Sequence, residues 1–426
     1  MKHALVAFAL LAACRGGKTH RTKDDAGLHG SASAVSAAPS VVPKLPRTED
    51  GVAALRALDR RIEIHARQLP ASVGLHLERA AITGQLEDFE QALADSTALV
   101  EKSPQLEQTW RLRVTALLRV HRFADAHVAL KRLAAFVHPS RLVEYEIVLV
   151  EASGDTEGAL AMRAERMKQA PTAQNLTVLA AALAQAGRAD EALALIPKAA
   201  AAVRDNPPYG IAWLLFQWGR VHELKGSFAT AREFFAAAHA RLPGYVEATM
   251  HLAQAMIATG DRAGAARLVD ETLAAEATRA HAAGDAGAAN DAGMRVHHRH
   301  PELLALAAQL GHPELAAEAR REWERYVAAL PLAFSDHAAR FYLTRDPARA
   351  LELARVNHAN RDTPEARALV VEAALAAGDV KAACAVVEPL VSRGTHAQRF
   401  LAWQAVSRCG RSADAERLGR ELGIVH

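Results

Sequence analysis

The sequence predicts an all-α chain built as an α-solenoid, a row of about ten helical hairpins. Three observations carry this. First, half of the 426 residues are hydrophobic but only 5% are aromatic, so the apolar mass is mostly Ala, Leu and Val. That composition suits closely packed helices better than sheets, which favour β-branched and aromatic side chains. Second, a small residue recurs in one phase at Ala92, Ala126, Ala159, Ala192, Ala231, Ala265, Ala316, Ala350, Ala383 and Ala415, spaced by 34, 33, 33, 39, 34, 51, 34, 33 and 32 residues. Third, seven of the ten positions lying five residues earlier are glycine: Gly154, Gly187, Gly226, Gly260, Gly311, Gly378 and Gly410. A period of this length with a turn glycine marks a stack of helix pairs, none of which can bury its apolar face alone.

The elements follow in order. Residues 1–13 place Lys2 and His3 before an apolar run from Ala4 to Ala13. That run is too short to span a bilayer, where about 20 residues are needed, and reads as an export signal. Leu11-Ala12-Ala13-Cys14 resembles the bacterial lipobox. The resemblance implies a lipoprotein signal peptide cut before Cys14, lipidation of Cys14 and, with Arg15 following, an outer-membrane lipoprotein facing the periplasm. Residues 14–48 are rich in Gly, Ser, Ala, Thr and Pro without a hydrophobic period, and form a flexible tether. Residues 49–72 hold an N-terminal capping helix, roughly Glu49 to Leu69, ended by Pro70. The repeats occupy 73–426.

The clearest unit runs from Ala212 to Tyr245. Trp218, Gly219 and His222 lie on its first helix, Gly226 turns, Ala231, Phe235 and Ala238 lie on its second, and Pro243 stops it. Small residues let the helices approach, large ones fill the gaps, and glycine takes the tight turn. This unit resembles the tetratricopeptide repeat, whose units of about 34 residues are antiparallel helix pairs. Glu87, His121 and Arg345 stand where turn glycines are expected, so those turns are of another shape. Two intervals exceed the period. The first takes up its extra residues at Asp205-Asn206-Pro207-Pro208. The second does so in an insertion at about 278–300, whose Gly- and Ala-rich centre from Ala282 to Met294 reads as a loop.

In the tetratricopeptide family the first helix of each unit lines a concave face that binds peptides or proteins. Carried to this chain, the resemblance implies a partner-binding groove that includes Trp213, Phe216, Arg220, Glu223, Met250, Gln254, Arg111, Arg119 and Arg141. Trp213 serves that groove or packs between helices, and the arginines serve it or are solvated charges. Aromatic and arginine side chains together suit an acidic, partly apolar peptide.

His281, His297, His298 and His300 flank the insertion and are the candidates for an alternative function, binding of a metal or small ligand. Arg299 among them and Pro301 after them favour an exposed helix lead-in instead. Cys384 and Cys409 fall on neighbouring helices and either form a disulfide or act as two small buried apolar residues. No Gly-x-Ser-x-Gly elbow, phosphate loop, His-Glu-x-x-His helix or haem motif occurs. The reading is therefore a non-enzymatic scaffold without a cofactor. A net charge of +3, from 51 basic and 48 acidic residues, gives no field to hold nucleic acid. The expected partners are a protein or peptide, and a membrane through the lipid anchor.

Overall fold

A computed structural model describes residues 41–204, 207–282 and 298–424. Among these residues all regular structure is helical, as the composition implies. A leading helix α1 (Gly51–His65) is followed by ten hairpins. They are α2 (Leu69–Thr83) with α3 (Leu86–Lys102), α4 (Glu107–Arg119) with α5 (Phe123–Leu133), and α6 (Val143–Ala152) with α7 (Thr156–Gln169). Next come α8 (Ala173–Gln185) with the split pair α9 (Ala189–Leu193) and α10 (Ile196–Ala201), α11 (Pro208–Leu224) with α12 (Phe228–Arg241), and α13 (Val246–Ala258) with α14 (Arg262–Ala282). The last four are α15 (Pro301–Leu310) with α16 (Ala316–Ala329), α17 (Pro331–Tyr342) with α18 (Pro347–Asn360), α19 (Pro364–Ala376) with the split pair α20 (Val380–Val386) and α21 (Glu388–Ser392), and α22 (His396–Arg408) with α23 (Ser412–Glu421). Pro197 and Pro389 cause the two splits, because proline lacks the N–H that would continue the helix.

The alanine register marks where paired helices touch. Ala92, Ala126, Ala192, Ala231, Ala265, Ala350 and Ala383 are wholly buried, and Ala159 is 3% exposed. Ala316 departs from the register. Pro313 opens a 3₁₀ turn ahead of α16, so the helical phase starts late and Ala319 takes the buried place. Beside Ala231, Trp218 is fully buried, and its indole N–H donates to Thr177 Oγ1 at 3.0 Å. A Cβ on Gly219 would lie 2.6 Å from the Phe235 ring, which explains the small residue there.

The turns use the left-handed region that glycine enters freely. Gly226 has φ +83°, and the Ser227 N–H beyond it donates to His222 O at 2.9 Å, closing the helix end. Where glycine is missing the chain solves the problem in three ways. The first hairpin turns at Gly84 (φ +67°) instead of Glu87, His121 itself adopts φ +56°, and Arg345 sits in a turn without positive φ. Helix α1 stops at His65, before the expected Leu69, and Pro70 lies in the first turn of α2 instead of ending α1. Of the 205–208 breaker, Asp205 and Asn206 lie outside the described residues, while Pro208 opens α11. Helix α14 continues to Ala282, so the insertion begins later than 278, and the rest of it, 283–297, lies outside the described residues.

The solenoid coils tightly enough for its second superhelical turn to stack on its first. Turns of the early hairpins dock on loops between the late ones. The Leu86 N–H donates to Tyr326 Oη at 3.2 Å, and Arg325 pairs with Glu87 at 2.7 Å. Phe89 meets Phe334 edge to face. His121 Nδ1 lies 3.1 Å from Leu332 O, and Asn360 Nδ2 donates to His121 O at 3.0 Å. The Asp362 N–H donates to Ala152 O at 3.0 Å, and Gly187 lies against Gly394. Helix α1 is wedged between turns as well as heading the row: a Cβ on Gly51 would meet Arg241 O, and Leu55 lies against Gly244.

Candidate partner-binding site

Coiling brings the inner faces of the first helices of late hairpins near one another and sets paired charges between them. Arg220, on α11, bonds to Glu223 and lies 3.3 Å from His251 Nδ1, which in turn is 3.0 Å from Glu223 Oε2. Burial disfavours the Glu223 anion, but Arg220 and His251 hold its pKa below the usual carboxylate range. On the next helices His337 Nδ1 lies 2.5 Å from Glu302, and Arg361 Nη2 donates to Asp336 at 2.5 Å. Burial pulls the His337 imidazole down, yet Asp336 and Glu302 outweigh it and hold the group at about 9. Against its own burial, Asp336 is held well below the carboxylate range by Arg361 and His337.

A cleft opens on this inner face. A cleft of about 150 Å³ lies between the α11–α12 turn and helices α17, α19 and α22. Leu224, Phe228 and Leu401 supply half-buried apolar wall. Glu365 and Glu372 stand two turns apart on α19, and Arg340 approaches from α17. Burial pushes both carboxyls up; at Glu372 Arg340 opposes it, and at Glu365 Glu151 adds to it while Arg361 opposes it. Among the described residues no ion pair engages Glu365, Glu372 or Arg340. Arg220 and Glu223 border the cleft with their charges already matched.

The residues assigned to a groove by resemblance are scattered by this geometry. Arg220 and Glu223 reach the cleft, but Arg220 is only 6% exposed and is an ion-pair partner, neither solvated nor free. Phe216 is a correction: it is 4% exposed and packs among Phe235, Tyr245 and His251 as core. Met250 is likewise buried core. Trp213 packs half-buried against the apolar cluster around α11, and Gln254 is half-buried. Arg119 is exposed and its charge acts on Tyr209 and Tyr245 across the lumen. Arg111 and Arg141 share Glu107, at 3.9 and 3.2 Å, away from the cleft. The cleft residues Arg340, Glu365 and Glu372 were missed. Their one local signal is the seven-residue spacing of the two glutamates, which sets them on one helix face.

The two described histidines of this set, His298 and His300, face different partners. His298 lies 2.9 Å from Glu322, and Arg299 pairs with Glu318. His300 is buried against Gly84 in the joint between superhelical turns, where burial pulls its imidazole down to about 4. Beside it, burial pushes the Glu276 carboxyl up to about 7. Among the described residues no three metal-ligating side chains gather. His297, the side chain of His281, and Cys14 with the rest of residues 1–40, read above as signal and tether, lie outside the described residues. Cys384 and Cys409 are joined as a disulfide, with Cα atoms 5.9 Å apart, linking α20 to the end of α22.

No curated protein matches the chain. Among solved structures it is similar to a chain of the APC/C hetero-tetramer Cut9-Hcn1, with 15% identity and a TM-score of 0.42, covering 75% of this chain and 59% of that one. It is also similar to a tetratricopeptide repeat protein from Parabacteroides merdae, with 12% identity and a TM-score of 0.37, covering 67% of this chain and 98% of that one. MamA is similar at 18% identity and a TM-score of 0.23, over 46% of this chain and 92% of its own. Residues 224–286, from the end of α11 through α12, α13 and α14, match the family model of the tetratricopeptide repeat.

Proposed function

We propose that this chain is a protein-binding scaffold of the bacterial envelope. It is tethered through a lipid on Cys14 at the outer membrane, and engages a partner protein or peptide at the inner cleft. The tetratricopeptide repeat match and the helical-hairpin architecture support protein binding in general, and the Leu11–Cys14 motif supports the anchor. The observation that carries the cleft assignment is that Arg340, Glu365 and Glu372 stand beside apolar wall with no close ion pair, Arg340 acting on Glu372 only at longer range. A bound segment placing a basic group on α19 and an acidic group on Arg340 would complete these charges in a desolvated setting, where such pairs discriminate between partners.

The test is a photo-crosslinker, benzoylphenylalanine, installed in intact cells either at Leu401 in the cleft or at exposed Lys381 on α20. A protein captured from Leu401 alone, and lost when Arg340→Glu is added, supports the assignment. The same captured set from both positions refutes it. The anchor is tested separately. Cys14→Ser should abolish incorporation of labelled palmitate and release the chain from membranes; retained labelling would remove the lipoprotein reading.

A further inference from the structure

A second opening lies between α1 and α14 and shares no lining residue with the inner cleft. It encloses about 570 Å³, within the range of about 300–1,000 Å³ common for ligand pockets. Arg56 and Arg60 stand one helical turn apart on α1, and Arg279 faces them from α14. Arg56 and Arg60 are exposed, Arg279 is half-exposed, and among the described residues no hydrogen bond or ion pair engages any of the three. Other arginines carry partners, as Arg79 does in Asp59 and Asp88 and Arg325 in Glu87 and Glu322. Three guanidiniums around one cleft, none in a close ion pair and only Arg279 acting on a nearby carboxyl, that of Glu276, leave a local surplus of positive charge.

The wall between these cations is apolar. Leu55 and Val246 are buried in it, and Val52 is 42% exposed at its edge. At its inner side stands Glu276, 7% exposed, with Oε2 accepting from the His300 N–H and Oε1 without a partner. Burial raises its pKa to about 7 against the opposing charge of Arg279, so below that pH the carboxyl is mostly protonated and can donate a hydrogen bond, and above it the anion partly answers Arg279. Asp59 at the rim shares Arg79 with Asp88, and Glu63, exposed, lines the cleft without an ion-pair partner.

We infer that the α1–α14 cleft docks an acidic segment of a partner protein, with alternating apolar residues that lie on Val52 and Leu55 while its carboxylates take Arg56, Arg60 and Arg279. Guanidinium and carboxylate planes match for paired hydrogen bonds, which fixes the register of such a segment. Apolar wall between the cations, together with Glu63 on the same helix face, disfavours a uniform polyanion such as nucleic acid or an anionic bilayer surface.

The experiment uses the full chain and fluorescence anisotropy of a labelled hexapeptide alternating Glu and Leu. Its companions alternate Lys with Leu and Glu with Ser. Saturable binding of the Glu–Leu probe is expected, with clearly weaker binding of both companions. Arg56→Glu with Arg60→Glu, or Arg279→Glu alone, should weaken it by about tenfold or more, the effect of removing a charge partner at an interface. Circular dichroism checks that the variants keep their helical signal, which the exposure of Arg56 and Arg60 favours. Arg340→Glu in the inner cleft should leave the probe's affinity unchanged, so failure here is distinguishable from failure of the inner-cleft assignment. The inference is overturned by absence of saturable Glu–Leu binding, by equal affinity in the α1 variants, or by equal binding of the Glu–Ser probe. Phosphatidylglycerol vesicles or an oligothymidine showing the larger loss in those variants would overturn it in favour of a lipid or nucleic-acid ligand.

Discussion

Replacing Asp336 by Asn tests how the lumen is held together. The substitution keeps the size of the side chain, so no cavity forms, and removes one charge. Asp336 is 5% exposed and Arg361 is 3% exposed, with 2.5 Å between Oδ2 and Nη2. Arg361 would keep its bond to Asn357 Oδ1 at 2.7 Å but no charge partner. Breaking a buried pair from one side costs about 3–5 kcal/mol, because the remaining ion stays desolvated and uncompensated. That is a large share of the roughly 5–15 kcal/mol that stabilises a typical folded domain. Urea denaturation followed by tryptophan fluorescence should show the loss, helped by Trp323, whose ring stacks on His337 beside the pair. Hydrogen exchange should speed up in α17, α18 and α19 more than in α4 or α5. The double variant Asp336→Leu with Arg361→Met should recover most of the stability, since an apolar pair carries no desolvation cost. A single variant within about 1 kcal/mol of wild type would refute the argument that this charge is structurally required.

The remaining predictions concern the turns, the joint and the termini. Gly84→Ala should destabilise more than Gly226→Ala. Both sites have positive φ and share a strain of about 1–2 kcal/mol, but a Cβ at Gly84 would lie 2.6 Å from His300 Nε2, whereas nothing lies within 4 Å at Gly226. Equal melting shifts would remove the inter-turn joint from the explanation. Glu276→Gln should stabilise the chain above pH 7 by up to about 3 kcal/mol. The folded carboxyl, held at about 7, keeps a proton that the unfolded chain releases near its ordinary value, so this cost grows as pH rises between the two and then stays constant. His337 has the opposite benefit: raised to about 9, it contributes fully below the ordinary histidine value and loses that contribution as pH rises through about 9. His337→Gln should therefore flatten the alkaline limb of a stability–pH curve measured in urea. Reducing Cys384–Cys409, which closes a 25-residue separation, should cost about 3 kcal/mol. Exchange should rise in α20 to α23 and stay unchanged in α1.

The hairpins were legible because each is specified locally. Ala231 needs Gly219 and Trp218 opposite it, and all three fall within one period of the sequence. Ala316 failed as a marker for an equally local reason, since Pro313 begins a 3₁₀ turn and delays the helical phase to Ala319. Arg220 and Glu223 could be placed on the inner face by their phase, but the third member of their cluster, His251, comes from the next hairpin. Phe216 and Met250 were misplaced because a concave face was expected to stay open, whereas tight coiling buries it. The cleft at Arg340 and Glu372 depends on α11 meeting α19 and α22, a juxtaposition created by superhelical pitch. Pitch follows from small rotations summed over many interfaces, and no short motif in the sequence records that sum.

The stacked turns also bear on the time at which the molecule becomes complete. In an ordinary solenoid each unit needs only its neighbour, so folding can follow the chain as it is made. Here the Tyr326 hydroxyl donates to Gly84 O across 242 residues, and Asn360 reaches His121 across 239. Whether the chain emerges from the ribosome or across a membrane, the early hairpins wait until about 240 further residues have followed them. During that interval Phe89, later covered by Phe334, stands uncovered on one side. The early half of the chain thus passes through a period of exposed apolar surface, set by the coil's pitch and not by any weakness of its own hairpins.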